Sequence, residues 1–235
     1  MKTIAIIPAR GGSKRIPHKN IRDFHGRPVI AYVIETALKC GLFDTVMVST
    51  DDNGIADIAR KYGAEVPFMR SDDAASDHAT TADVMKEVLE TYASEGVHYD
   101  IACCMYPTAP LLTRDRLREA MDILTDDSEK TDVVLPIVRF SYPPQRTFYL
   151  QEDSCIRMAQ PENRDVRSQD LEPLYHDAGQ FYLFRTETFF EDGQFLTGIV
   201  RAMELPEMEV QDIDSETDWA MAELKYSWIH AGEGV

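Results

Sequence analysis

Short apolar, β-branched runs alternate with amphipathic stretches along most of this chain, and that alternation restricts the fold more than any other feature. Residues 3–8, 45–50, 65–69, 101–106 and 133–138 read as strands, with a further two over 180–184 and 198–205. Between them, 28–39, 55–62, 81–92 and the stretch through Leu117, Ala120, Met121 and Leu124 carry apolar residues at helical spacing. Gly41 and Gly63 close two of these helices, and Ser215 with Asp218 spells a capping box at the start of a last helix over 215–228. Strands separated by helices pair in parallel through right-handed crossovers. The expected fold is therefore α/β: a Rossmann-like, doubly wound, mostly parallel sheet in a single domain over residues 1–235. The rhythm fails between about 140 and 175, where the chain is polar and prolines stand at 143, 144, 161 and 173. A loop of that length in a compact domain is functional or docks elsewhere. We read it as a small excursion that packs on a second subunit.

Charge narrows the partners. The chain carries a net charge of −17, which argues against nucleic acid and anionic membrane. No apolar run approaches a bilayer span, and the apolar start is short and interrupted by Pro8 and Arg10, as a buried first strand is. Cysteines at 40, 103, 104 and 155 show neither metal-ligand nor disulfide spacing, so a reducing cytoplasm is expected. Against this acidic background Arg10, Lys14, Arg15, Lys19, Arg22 and Arg27 crowd one segment in which Asp23 is the only acid. Such a segment is either a solvated charge cluster or a seat for a small polyanion.

Its position favours the seat. The segment Arg10-Gly11-Gly12-Ser13-Lys14-Arg15-Ile16-Pro17-His18-Lys19-Asn20 follows the first strand, where an open α/β sheet presents its ligand crevice. Paired glycines bring backbone N–H groups close to phosphate oxygens, Lys14 and Lys19 supply point charges, and Arg10 clasps two oxygens at once. Neither GxGxxG nor GxxxxGK[ST] is present, so dinucleotide binding and P-loop chemistry are both disfavoured. Further along, Asp212 and Asp214 alternate in what reads as a strand, which fits an exposed acidic strand end as well as a metal pair. Thr80 is placed to cap the helix that follows it. Asp51 reads equally as a cap or as a support for a metal.

Taken together these segments resemble the CMP-sialic acid synthetase (acylneuraminate cytidylyltransferase) family. The basic loop is similar to that family's signature. Val48-Ser49-Thr50-Asp51, Arg70 with Ala75 to Thr81, Pro107-Thr108-Ala109-Pro110 and Asp212-Ile213-Asp214 resemble its later motifs in the correct order. Tyr106 stands where the sialic acid enzymes typically have Gln. The stretches 104–110, 140–146 and 175–182 are most similar to the branch that activates pseudaminic acid, a bacterial sugar of the same carbon skeleton but different stereochemistry and substituents.

The resemblance implies a nucleotide-diphospho-sugar transferase type of fold and transfer of CMP from CTP to the anomeric hydroxyl of an acidic nine-carbon sugar, with release of pyrophosphate. It implies Mg²⁺, replaceable by Mn²⁺, on Asp212 and Asp214, two hard oxygen ligands beside a triphosphate. Nucleotide contacts are expected from Arg10, Gly11, Gly12, Ser13, Lys14, Lys19, Asn20, Arg70, Thr80 and Thr81. Arg10, Lys14 and Lys19, with the two aspartates, would also serve catalysis. Sugar contacts are expected from Tyr106, Gln180 and Tyr182, and from Arg146 or Arg167 reaching a neighbouring subunit's site in a homodimer. His176 is a candidate base, although a lone histidine is more often structural. Legionaminic, sialic and 3-deoxy-manno-octulosonic acids are rival acceptors. A catalytically inactive nucleotide-binding regulator is the rival of another class, disfavoured because a sensor has no need of a metal pair.

Overall fold

The computed structural model describes residues 1–13, 15–126, 128 and 130–231. Its first strand, β1 (Thr3–Pro8), is interior to the sheet, and Ile4, Ala5, Ile6 and Ile7 are each 0% exposed because helices cover both faces. A two-rung hairpin, β2 (Asp23–Phe24) and β3 (Arg27–Pro28), leads into α1 (Val29–Cys40), which Gly41 ends in the left-handed region at φ 73°. Then come β4 (Thr45–Ser49), α2 (Asn53–Lys61), a single turn α3 (Asp72–Ala75), α4 (Thr81–Ser94) and β5 (Ile101–Met105). After α5 (Arg114–Thr125) and β6 (Val133–Arg139) the chain makes its excursion, which holds the hairpin β7 (Phe148–Leu150) and β8 (Ile156–Met158). It returns through β9 (Tyr175–Asp177), β10 (Phe181–Arg185), α6 (Thr186–Asp192), β11 (Val200–Glu204) and α7 (Glu216–Ile229).

The sheet runs β11-β6-β10-β5-β1-β4, with β9 also paired to β6. Strands β4, β1, β5, β6 and β11 share one direction, while β10 and β9 run against them. The fold class is as expected, but the sheet is mixed. No helix separates β9 from β10, so the parallel-pairing rule has nothing to act on there. Both lie antiparallel on β6, and between Asp177 opposite Ile137 and Leu183 opposite Val134 six residues of one path answer three of the other. The surplus is a bulge at Ala178, Gly179 and Gln180, with Gly179 at φ 64°.

Two cores fill the faces of the sheet. One joins α1, α2 and α5 to the residues Ala5, Ile7, Cys103 and Phe181; the other joins α4 and α6 to Ile4, Ile6, Cys104 and Phe184. Cys103 and Cys104 are free, fully buried core residues. A third, smaller core of Ile16, Phe24, Val29, Tyr32, Ile213, Trp219 and Ala222 binds the loop after β1 to the segment before α7.

Two expected strands are absent. Over 65–69 the chain makes one isolated bridge, Met47 to Glu65, since Pro67 has no N–H to continue a ladder. Residues 211–214 form no ladder either, being held by side chains and by the third core. The excursion, expected to be irregular, is built of a hairpin and three short 3-10 turns. It leaves Tyr142, Phe148, Tyr149, Leu150 and Ile156 exposed.

Both helix caps that the sequence spells are formed. The Ser215 hydroxyl accepts from the N–H of Asp218, whose carboxylate accepts in return, and Thr80 and Asp83 do the same for α4. The hydrogen bond from Ser215 holds the Asp218 carboxyl below the usual carboxylate range. A depressed pKa contributes stability above the unfolded-state value, about 3.9, and loses it as pH falls through the folded value. Ser215→Ala is therefore expected to cost about 1 kcal/mol in urea unfolding at neutral pH. The difference from wild type should shrink in unfolding measured below about pH 3.9.

Candidate active site

Six segments meet where β1, β4 and β5 end: the loop after β1, residues 50–52, residues 70–81, Tyr106, the bulge before β10, and residues 209–214. In the loop, the N–H of Gly11 donates to Asp51 Oδ1 at 2.9 Å. A Cβ on Gly11 would come within 2.9 Å of Asp52 Oδ2, and Asp52 is itself committed to capping α2 through the N–H of Ile55. The capping role thus falls to Asp52, and Asp51 holds the loop. Gly12 differs: among the described residues nothing beyond its chain neighbours lies within 4 Å of where its Cβ would be. Ser13 donates its N–H to Gly11 O, and Asn20, buried, donates to Arg10 O at 2.9 Å. Lys14 lies outside the described residues.

The cations of the loop face acids across the cleft. Arg10 pairs with Asp77 at 3.3 Å, Arg15 with Asp214 at 2.8 Å, and Lys19 Nζ stands 3.7 Å from Asp214 while donating to Ile213 O at 2.6 Å. Burial of Ile213 in the third core leaves its neighbours Asp212 and Asp214 outside it. Desolvation, then the charge of Asp214, push the Asp212 carboxyl above its ordinary range, and Lys19 opposes them. Among the described residues no group of three or more His, Cys, Asp or Glu could hold a metal alone. Two neighbouring carboxylates do fit a hard cation that completes its shell with water and phosphate oxygens.

The remaining residues divide. Thr80 caps α4, as expected of it, and Thr81 lies beside the Tyr106 hydroxyl. Arg70 is buried, and donates from Nε to Ser49 Oγ at 3.0 Å and from Nη2 to Ser49 O at 2.6 Å, so it braces the end of β4. Tyr106 and Tyr182 meet edge to face with ring centroids 5.9 Å apart, and Tyr182 stacks on Phe195 at 4.6 Å. Gln180 is buried, 3% exposed, and its amide donates to Glu209 O at 2.6 Å. That bond ties the bulge to the segment before the aspartates. Arg146 bonds Ser168 and Arg164 O, and Arg167 pairs with Asp170, all within the excursion. His176 bonds Asp177 O and packs on Phe140. Residues that sequence reasoning left without a role include Asp77, Phe195, Glu209 and Asp177; Asp77 and Asp177 lie in stretches whose similarity could have drawn attention to them.

A polyanion seat opposite a metal-capable carboxylate pair, at the strand ends of an α/β sheet, defines a nucleotide-handling transferase. The family model for cytidylyltransferases matches residues 4–220, and the chain belongs to that family. It is 41% identical over 98% of its length, and 98% of the relative's, to the pseudaminic acid cytidylyltransferase of Campylobacter jejuni. It is 33% identical to the CMP-N,N'-diacetyllegionaminic acid synthase of Legionella pneumophila over 95% of both chains. A solved CMP:2-keto-3-deoxy-manno-octonic acid synthetase, complexed with CTP, shares the fold with a TM-score of 0.70 and 18% identity, over 98% of this chain and 100% of that one.

Among the charges that act on Asp212, Asp214 and Lys19 have opposite signs, so their removal should move it in opposite directions. Asp214→Asn is expected to lower the Asp212 pKa and Lys19→Met to raise it. Carboxyl ¹³C titration in metal-free buffer reads both shifts; a common direction would contradict this account of the pair.

Proposed function

We propose that this chain transfers CMP from CTP to the anomeric hydroxyl of pseudaminic acid and releases pyrophosphate. The observation that carries this reading is the basic loop set against Asp212 and Asp214, in a chain 41% identical to a pseudaminic acid cytidylyltransferase over 98% of both. Tyr106 supports the choice of sugar. It stands beside Tyr182, and its aromatic face suits the acetamido and deoxy groups of such an acceptor.

In this mechanism the hydroxyl attacks the α-phosphorus and pyrophosphate departs. Alignment and charge stabilisation supply most of the acceleration. Arg10 and Lys19 hold the triphosphate, and the open space around Gly12 lets phosphate oxygens approach the backbone. Lys19 is already aimed by its bond to Ile213 O, so little reorganisation precedes reaction. Asp212 and Asp214 would hold Mg²⁺, which neutralises phosphate charge when bound. Desolvation of Asp212 disfavours its charged form, and a bound cation would oppose that effect.

The exposed aromatic and aliphatic side chains of the excursion support a homodimer formed through 140–175, with Arg146 and Arg167 offered to the partner's sugar site. Among the described residues no helix is long and apolar enough to cross a membrane. Four free cysteines, three of them buried, suit the cytoplasm.

The test is pyrophosphate release with CTP and Mg²⁺ against pseudaminic, legionaminic, sialic and 3-deoxy-manno-octulosonic acids. Turnover with pseudaminic acid alone is expected, and Lys19→Ala should lower it by about 10²-fold or more. Turnover with another member of the set would overturn the sugar assignment, and CTP binding without any turnover would favour a nucleotide-binding regulator.

A further inference from the structure

We infer that Asp177 is a positioning residue for the acidic sugar: it fixes the direction of the Tyr182 hydroxyl, so that the aromatic wall offers the sugar hydrogen-bond acceptors and selects a donor, an amide N–H or a hydroxyl. This rests on the proposed function, in which Tyr106 and Tyr182 line the sugar site.

The Tyr182 ring has little freedom. It is stacked on Phe195 with an interplanar angle of 5°, and Tyr106 abuts it at 68°. What remains to be set is where its one hydroxyl proton points. That proton goes to Asp177 Oδ2, in a short hydrogen bond. The other carboxylate oxygen, Oδ1, accepts the N–H of Gly179 at 2.7 Å, so both oxygens are engaged and the carboxylate plane is held by the bulge. An ionised carboxylate only accepts. The Tyr182 proton is therefore committed to Asp177, which leaves its hydroxyl oxygen an acceptor.

Consequences pass along the wall. The Tyr106 hydroxyl lies beside those of Thr81 and Tyr182; burial pushes its pKa up, and hydrogen bonding with these two neighbours opposes the rise. Tyr182 is likewise held as a phenol, by burial first and by Asp177 second. With its proton on Asp177, the Tyr182 hydroxyl has only lone pairs left to offer. A buried polar group left without a partner pays its full desolvation cost, so an acceptor wall discriminates against a sugar lacking a donor there.

A merely structural role is the competing account. Asp177 also ties the bulge, and a Cβ on Gly179 would lie 3.6 Å from Asp212 Cβ, so a loosened bulge would disturb the aspartate pair. The two accounts separate in Asp177→Asn, in which Oδ1 still accepts from Gly179 while the amide presents a donor to Tyr182 and reverses its hydroxyl. Pyrophosphate release by the full chain is measured with CTP, Mg²⁺ and pseudaminic acid, or whichever acid of the panel the wild type turns over. Asp177→Asn and Tyr182→Phe should each raise the sugar KM by about ten-fold while the KM for CTP stays within about two-fold. The double variant should be no worse than Tyr182→Phe alone, because no hydroxyl is left to orient. Asp177→Glu, again an acceptor only, should recover part of the lost sugar affinity.

An Asp177→Asn effect that persists undiminished in the Tyr182→Phe background overturns the inference, as does a matching rise in the KM for CTP. A wild type that turns over a sugar, with variants indistinguishable from it, overturns the inference alone. A wild type silent on every acid of the panel overturns the proposed function and the inference with it.

Discussion

The site depends on the burial of one side chain. Ile213, 0% exposed, packs among Ile16, Phe24, Val29, Tyr32, Trp219 and Ala222, and with it the segment before α7 is pinned beneath the basic loop. Full burial of an isoleucine contributes roughly 1.5–3 kcal/mol, several times what an exposed ion pair does. That difference decides the geometry: the apolar residue sets the position, and the flanking Asp212 and Asp214 are carried to the cleft by it. The same residue supplies the carbonyl that receives Lys19. A single apolar anchor therefore places a cation and two anions close together, an arrangement that the charges alone would have little power to specify in water.

A second set of contacts holds the same segment from the other side. Gln180 donates to Glu209 O, Arg116 forks onto the Glu209 carboxylate at 2.8 and 3.1 Å, and Lys225 donates to Glu207 O and Val210 O. The bulge before β10 is what brings Gln180 within reach. Without the slip in register on β6, the strand would pass the site with its alternation unbroken, and no side chain at 180 would be delivered to the segment at 209. The antiparallel insertion of β10 is thus part of the site's construction: its first residues stand at the end of the sheet where β1, β4 and β5 finish.

Local features of the sequence were legible because their causes are local. Gly41 in the left-handed region, the capping boxes at Thr80 and Ser215, and the buried strands β1 and β5 each follow from residues within one turn or one run. The basic loop stood out because six cations with one acid in an acidic chain are a compositional anomaly. What escaped depends on partners far away in the chain. The bonds of Gln180 to Glu209 O and of Arg70 to Ser49 O are examples, since nothing near either residue in sequence reveals its partner. Asp177 is one acid among 41, and only the approach of Tyr182 distinguishes it. The misplaced strand at 65–69 has a different origin: its apolar pattern is real, but Pro67 removes the donor that a ladder needs.

The pairing of charges at the cleft also bears on how a polyanion would enter it. Arg10 pairs with Asp77 and Arg15 with Asp214, and all four side chains are at least two-fifths exposed. Exposed pairs of this kind are worth about 0–1 kcal/mol, so exchanging an aspartate for a phosphate costs little. Lys19 is different, with a side chain 21% exposed and a carbonyl already accepting from it. The loop therefore combines cations that are easily released with one that is held in place. Until a ligand arrives the surrounding acids keep the cations from repelling one another.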